Sequence, residues 1–237
     1  MLSFIVSQIN MATEGAEGAT GMVQEEKTMP IMDLITQGGA GGMLIMLTLF
    51  ILSVIAVYIF IERFIAIRKG SHEDADFMNN IKNFIREGKL GEARNLCQRT
   101  DYPVARMIEK GVSRIGKPLG DIGTAIENTG KLELYKLEKN LATLATISGA
   151  APMIGFLGTV IGMILAFHEM ASAGGNIDVE MLAEGIYTAM VTTVAGLVVG
   201  ILAFIGYNML VARVEKVVFL LEARSTEFLD ILHEPAH

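Results

Sequence analysis

The sequence contains no tryptophan and a single cysteine among its 237 residues. Cys97 cannot form an internal disulfide, and it lies in a segment that we place in the cytoplasm, where thiols stay reduced. The net charge is −7, and no Lys/Arg cluster with interleaved aromatics occurs, so nucleic acid is not an expected partner. Because a nucleophile–base set, a metal-binding spacing and a phosphate loop are also missing, we expect no enzymatic activity and no cofactor.

Apolar side chains, by contrast, are abundant. Hydrophobic residues make up 51% of the chain and the mean hydropathy is +0.46, which is too apolar for an ordinary soluble domain. A helix needs about 20 apolar residues to cross a hydrocarbon core. Three stretches without a charged residue meet that requirement: 43–61, 141–167 and 185–212. The sequence therefore predicts an all-α integral membrane protein with three transmembrane helices.

The basic residues indicate how these spans are oriented. Of the 19 Lys and Arg, only Lys27 precedes the first span, and none lies between Phe167 and Gly185. Positive charge follows the first and third spans and precedes the second: Arg63, Arg68, Lys69, Lys131, Lys136, Lys139, Arg213, Lys216 and Arg224. Lys and Arg favour the cytoplasmic side of a membrane. We therefore predict an N-terminus outside and a C-terminus inside.

These predictions divide the chain into seven segments. They are a periplasmic N-terminal extension (1–42), transmembrane helix 1 (43–63), a cytoplasmic helical domain (64–140), transmembrane helix 2 (141–167), a periplasmic loop (168–184), transmembrane helix 3 (185–212) and a cytoplasmic C-terminal helix (213–237). No strong breaker separates residues 121–140 from the second span, so we expect that helix to run straight into the membrane. The long helices would then extend into a cytoplasmic helical bundle.

Spans two and three each carry one face of small residues, unlike the bulky first span. The faces follow 4-3 helical spacings and comprise Ser148, Pro152, Gly155, Thr159, Gly162 and Ala166 on span two, and Ala189, Thr193, Gly196, Gly200 and Ala203 on span three. Gly158 with Gly162, and Gly196 with Gly200, form Gly-x-x-x-Gly pairs that let helix backbones approach closely. Two interpretations stay open, packing surfaces or pore lining, and they are compatible if the faces surround another helix.

Two threonines are expected at one depth in the membrane. Thr159 lies eight residues before the end of span two, and Thr193 lies eight residues after the start of span three. Because these spans are antiparallel, both hydroxyls should lie about 12 Å below the outer surface and suggest a shared polar layer. Neither span contains Asp, Glu, His, Lys or Arg, although a proton path normally uses such a residue. A proton crossing here would therefore need a carboxylate from another chain.

Two motifs in these spans are similar to those of a known family. The segment APMIGFLGTVIGMILAF, residues 151–167, closely resembles the signature of the ExbB/TolQ/MotA proton-channel family. The segment GIYTAMVTTVAGL, residues 185–197, followed by Tyr207 and Asn208, resembles the family's third-span motif. The resemblance runs from about Met43 to the C-terminus, and three spans rather than four favour the ExbB/TolQ branch over flagellar stators.

The resemblance implies an assembly in the bacterial inner membrane. A homopentamer would surround a central pore with its second and third spans, and the pore would hold the transmembrane helices of two copies of an ExbD- or TolR-like partner. An Asp of that partner would carry protons, the coupling ion, and the resulting motion would pass to a TonB- or TolA-like protein. Outer-membrane transport through TonB is the first expectation. A TolQ-like role in outer-membrane integrity and a non-conducting membrane scaffold are the alternatives.

The resemblance also implies roles for individual residues in the two spans. The expected pore-lining residues on the proton pathway are Thr159, Thr193, Thr188, Thr192 and Ser148. The expected pore-wall packing residues are Pro152, Gly155, Gly158, Gly162, Ala189, Gly196 and Gly200. One position departs from the family pattern, since many relatives carry Glu where this chain has Thr188. A mechanism that needs a carboxylate from this subunit is therefore not expected.

Overall fold

The computed structural model describes residues 39–71, 76–172 and 179–233, and the regular elements within these ranges are all α-helices. They are α1 (Gly39–Gly70), α2 (Phe77–Arg86), α3 (Leu90–Arg99), α4 (Pro103–Val112), α5 (Leu119–Glu138), α6 (Leu141–Ser172) and α7 (Val179–His233). The predicted N-terminal extension lies outside the described residues except for its last four, and part of the predicted periplasmic loop also lies outside them.

Three of the described helices, α1, α6 and α7, contain stretches long and apolar enough to cross a membrane. Large apolar side chains are exposed along all three, including Phe50, Phe156 and Phe204, as expected for surfaces that face acyl chains rather than water. α7 has 55 residues, or about 80 Å, and continues without a break from the third span through the C-terminal segment. The prediction of an all-α membrane protein with three spans is confirmed.

The expected continuous helix through residues 121–140 into the second span is wrong. α5 ends at Glu138, Lys139 has an extended ψ of 134°, and Asn140 has a left-handed φ of 64°. α6 begins immediately afterwards, and the carbonyl oxygen of Asn140 accepts a hydrogen bond from the Leu144 N–H at 3.2 Å. Asn adopts the left-handed conformation more readily than most residues. The sequence interpretation missed the break because it considered only stronger helix breakers.

α6 and α7 pack antiparallel with their backbones almost in contact. A Cβ added to Gly196 would lie 2.6 Å from the Ala151 carbonyl oxygen and 2.8 Å from the Gly155 Cα. A Cβ added to Gly155 would in turn lie 2.7 Å from the Thr192 carbonyl oxygen. Only glycine permits this approach, since the atoms opposite belong to the backbone and cannot move aside. The crossing point of the two helices is therefore fixed by these glycines.

Below the three spans, α2, α4 and α5 pack against α7 around an apolar core, and α3 packs on α2 and α4. Ile81, Met107, Ile108, Ile126 and Phe228 are each buried there. This core extends from the spans into the segment that we assign to the cytoplasm.

Cys97 belongs to the same core. Its burial raises the pKa of the thiol to about 12, so the thiol stays protonated near neutral pH.

A network of charged side chains joins α1, α4 and α5 where the spans meet the bundle. Lys69 at the end of α1 pairs with Asp101 at 2.7 Å, and Arg106 on α4 pairs with Asp101 at 2.5 Å and with Glu133 at 2.6 Å. Lys136 pairs with Glu133 at 2.6 Å. Glu133 is buried. Burial alone would raise the pKa of Glu133, but hydrogen bonds from Arg106 and Lys136 outweigh it and lower the pKa.

We predict that Gly196→Ala destabilises the folded protein by about 1–3 kcal/mol, because the added methyl group overpacks a contact between two backbones. The measurement is the thermal midpoint of helix loss in detergent, followed by circular dichroism. Gly149→Ala is the matched control on α6, since among the described residues no atom beyond its own turn of helix lies within 4 Å of the added Cβ. Equal midpoints for the two variants would contradict the proposed close approach.

We predict that Glu133→Gln lowers the free energy of unfolding at pH 7 by about 1–3 kcal/mol, because it removes the charge that Arg106 and Lys136 bind. The folded pKa lies below the ordinary value of 4.5. The carboxylate's contribution is therefore present above pH 4.5 and is lost as the pH falls towards the folded pKa.

The difference between the thermal midpoints of wild type and Glu133→Gln should accordingly stay constant from pH 7 to about pH 5 and shrink as the pH falls below 4.5. Glu127→Gln serves as the control, because Glu127 forms an exposed pair with Lys131 on the same helix and such pairs contribute little. A difference that does not shrink below pH 4.5 while the protein stays folded would show that the carboxylate charge is not what stabilises the network.

Candidate functional site

The best candidate site is a cluster of hydroxyl and carbonyl oxygens where α6 crosses α7. Thr159 Oγ1 lies 3.0 Å from the Ala189 carbonyl oxygen, and Thr193 Oγ1 lies 3.2 Å from the Gly155 carbonyl oxygen. The two threonine hydroxyls are also hydrogen-bonded to each other. Both side chains are partly buried. The structure therefore brings together the two threonines that the sequence placed at one depth.

This hydroxyl pair has fewer protons than acceptors. Each hydroxyl carries one proton and can also accept, so two protons serve three contacts. If Thr193 donates to Gly155, then Thr159 donates to Thr193. If Thr159 donates to Ala189, the direction of the bond between the hydroxyls reverses. In both arrangements the two protons are used within the cluster, so the pair can accept a further hydrogen bond as it stands and can donate one only by turning a proton away from a carbonyl oxygen.

Thr192 lies deeper in the same crossing. It is 2% exposed, and its hydroxyl donates to the Ala189 carbonyl oxygen at 2.7 Å, within its own helix, and also lies 3.3 Å from the Gly155 carbonyl oxygen. A Cβ added to Gly158 would lie 2.5 Å from this hydroxyl and 3.3 Å from Ile45 on α1. Thr192 thus fills the contact among the three spans.

The two remaining predicted pore-lining residues are Ser148 and Thr188. Ser148 is partly buried and donates to the Ala145 carbonyl oxygen of its own helix at 2.7 Å. It is eleven residues from Thr159 along α6, which corresponds to about 16 Å. Thr188, also partly buried, precedes Thr192 by one turn of α7. Their place on a proton pathway stays a prediction.

The predicted pore-wall residues lie along the contact between α6 and α7 of one chain. Gly155, Gly158, Ala189, Gly196 and Gly200 are buried, and Pro152 and Gly162 are partly buried. A Cβ added to Gly200 would meet Pro152 at 2.5 Å, and one added to Gly162 would meet Ala189 at 2.8 Å. The small faces therefore pack on each other within one chain. Their contribution to a pore wall stays a prediction about several chains.

Sequence reasoning missed the buried charge at Glu133. A signal was available, since Glu133 follows Ile126 and Gly130 and precedes Leu137 at 4-3-4 spacing, and all four are buried on α5. An acidic residue on an apolar helix face indicates a buried partner.

A second buried charge, Arg63, was interpreted only as a marker of orientation. Arg63 is buried, and its guanidinium donates to the Lys136 carbonyl oxygen at 2.9 Å and pairs with Glu62.

Comparison with known proteins bears on what this crossing does. A TolQ protein of the Tol-Pal system in Pseudomonas aeruginosa is 27% identical over 215 residues, which cover 86% of this chain and 93% of the relative. A putative biopolymer transport protein ExbB homolog of Methanothermobacter thermautotrophicus is 29% identical over 170 residues, which cover 70% of this chain and 60% of the relative. A putative biopolymer transport protein ExbB-like 2 of Helicobacter pylori is 42% identical over 105 residues, which cover 44% of this chain and 63% of the relative.

The chain spans about three fifths of the length of these two ExbB-like relatives and nearly all of the TolQ relative. The profile of the MotA/TolQ/ExbB proton channel family matches residues 99–223. The matched segment includes the whole of α6, most of α7 and both threonines of the hydroxyl pair. Since it covers more than half of the chain, the protein belongs to the MotA/TolQ/ExbB proton channel family.

Proposed function

We propose that this chain is a proton-channel subunit of the bacterial inner membrane that powers work at the outer membrane. With an ExbD-like partner it would convert the proton motive force into mechanical work on a TonB-like protein, for active transport. The observation that carries the proposal is the Thr159–Thr193 pair, a polar layer in two spans that contain no Asp, Glu, His, Lys or Arg between 141 and 167 or between 185 and 212.

In the proposed assembly, five copies surround a pore with α6 and α7, and two partner helices occupy it. The partner's Asp takes up a proton on the outer side, crosses as a neutral acid and releases the proton inward. A membrane potential of 100 mV drives each charge with about 2.3 kcal/mol. The carrier has to be a carboxylate from the partner because neither of the two spans of this chain contains Asp or Glu.

The hydroxyl pair suits both forms of that carboxyl group. An ionised carboxylate only accepts hydrogen bonds, whereas a protonated one also donates. The hydroxyl oxygens of Thr159 and Thr193 can accept from the protonated form in either arrangement, and a hydroxyl can donate to the ionised form once its proton turns away from the backbone carbonyl oxygen. A charge at this depth is costly in an apolar environment, so a hydroxyl donor would lower the barrier to proton release.

A TolQ-like role in outer-membrane integrity is the second candidate. Its support is the TolQ relative of Pseudomonas aeruginosa, which this chain matches over 93% of the relative's length. Both roles use the same pore and differ in the protein that receives the motion, so the proposed chemistry at the threonines is common to them.

We predict that Thr159→Val and Thr193→Val each reduce proton flux through the intact complex by about 10- to 100-fold. This range corresponds to losing one hydrogen bond to a charged group, about 1.5–3 kcal/mol. Flux is measured with a pH-sensitive dye in vesicles that contain the chain and its partner. Thr146→Val is the control, because Thr146 is exposed and its hydroxyl bonds the Ala142 carbonyl oxygen of its own helix.

If proton flux is unchanged in both Thr159→Val and Thr193→Val while the complex stays intact, the proposed role of the Thr159–Thr193 pair is refuted. If bulky substitutions at Gly155 and Gly158 also left transport unchanged while partner binding was retained, the chain would be acting as a scaffold rather than as a conductor.

A further inference from the structure

An apolar cleft lies between α1 and α7, outside the contact between α6 and α7. Its volume is about 290 Å³, near the lower end of the ~300–1,000 Å³ typical of ligand sites. Ala56, Ala203 and Gly206 are among its lining residues, and the hydroxyl of Ser53 is the one polar side-chain group in the lining. Small side chains on both helices leave this space open, and its lining suits a hydrocarbon chain rather than a polar ligand.

The position of the cleft matches one leaflet of a bilayer. On α7 the lining runs from Val199 to Met209, a length of about 15 Å, which is half of a hydrocarbon core about 30 Å thick. Leu144 also lines the cleft and lies near the start of α6, on the side of the helical bundle. The cleft therefore spans the leaflet nearest the bundle, where acyl chains are the surrounding solvent.

A positive charge lies at the bundle end of this cleft. Phe60 lines the cleft, and its ring packs against Phe64 with the centroids 5.8 Å apart. The guanidinium carbon of Arg213 lies 4.2 Å from the Phe64 ring centroid. Arg213 also follows Met209 by four residues on α7, so the two share a helix face. The aromatic pair thus connects the apolar wall to a cation at the membrane boundary.

Arg213 is free to bind an anion. Among the described residues, no carboxylate lies within salt-bridge distance of it. A guanidinium that stacks on a ring keeps its N–H donors in the plane of the group, and these donors match the geometry of phosphate oxygens. An apolar chain site that ends at an unneutralised arginine is complementary to an anionic lipid.

We propose that the cleft binds one anionic glycerophospholipid, with an acyl chain between α1 and α7 and the phosphate on Arg213. This inference does not depend on proton conduction, since it uses a surface remote from the Thr159–Thr193 pair. The lipid would seal the gap between the first and third spans. It would also neutralise a cation that the described part of the chain leaves without a carboxylate.

The absence of tryptophan from the sequence permits a direct test. Val57→Trp places a single fluorophore in the cleft lining, and Tyr58→Trp is the matched control. Val57 and Tyr58 are 53% and 65% exposed, and only Val57 lines the cleft. As neighbours on a helix they lie at nearly equal depth but point about 100° apart. Each full-length variant is reconstituted in phosphatidylcholine with increasing fractions of brominated phosphatidylglycerol or brominated phosphatidylcholine.

We expect the Val57→Trp reporter to show about fivefold preference for phosphatidylglycerol, since one Arg near the membrane surface contributes about 1 kcal/mol. The Tyr58→Trp control should show almost none. Adding Arg213→Gln to Val57→Trp should remove the preference, and Arg213→Lys should largely retain it because the charge remains.

Two results would overturn the proposal. Equal preference at the two reporters would mean that the cleft does not select the anionic lipid. Quenching of Tyr58→Trp by both lipids, with no quenching of Val57→Trp by either, would mean that a second copy of the chain covers the cleft. Because the comparison of the two reporters needs no change at Arg213, it stands even if Arg213→Gln fails to fold.

Discussion

The contact between the backbones of α6 and α7 is the constraint on which the rest of the membrane part depends. Gly155 and Gly196 meet where any side chain would collide with a carbonyl oxygen or a Cα atom. At that separation the hydroxyls of Thr159 and Thr193 reach each other and the carbonyl oxygens of the opposite helix. A wider spacing would separate these oxygens. The polar layer is therefore a consequence of close packing rather than an independent feature.

The two helices of this pair connect differently to the bundle below the membrane. α7 is continuous for 55 residues, so a single helix joins the Thr159–Thr193 pair to the bundle. α6 is separated from α5 by the left-handed backbone at Asn140. The network centred on buried Glu133 holds α5 against α4 near this break. The connection through α7 is thus one continuous helix, whereas the connection through α6 is interrupted at Asn140, and ion pairs hold α5 in place beside the break.

Family membership gives these features a common interpretation. The matched segment begins at residue 99 and ends at residue 223, so it covers α4, α5 and α6 completely and most of α7. The two spans proposed to surround the pore and the greater part of the bundle therefore belong to one family unit. α1 lies outside the match and packs on the pair through Ile45 and Phe60. Its cleft with α7 belongs to the membrane surface of the chain rather than to the proposed pore.

The sequence by itself determined the number of spans, the small faces and the shared depth of Thr159 and Thr193, because hydropathy and helical spacing are local properties of the chain. Only the tertiary structure decided that the small faces pack on each other within one chain, that α5 and α6 are separate helices, and that Glu133 is buried beside Arg106. These depend on which surfaces meet and on one backbone dihedral at Asn140. Contacts between distant segments leave little trace in local periodicity, since the same small residues fit a helix pair and a pore wall equally well.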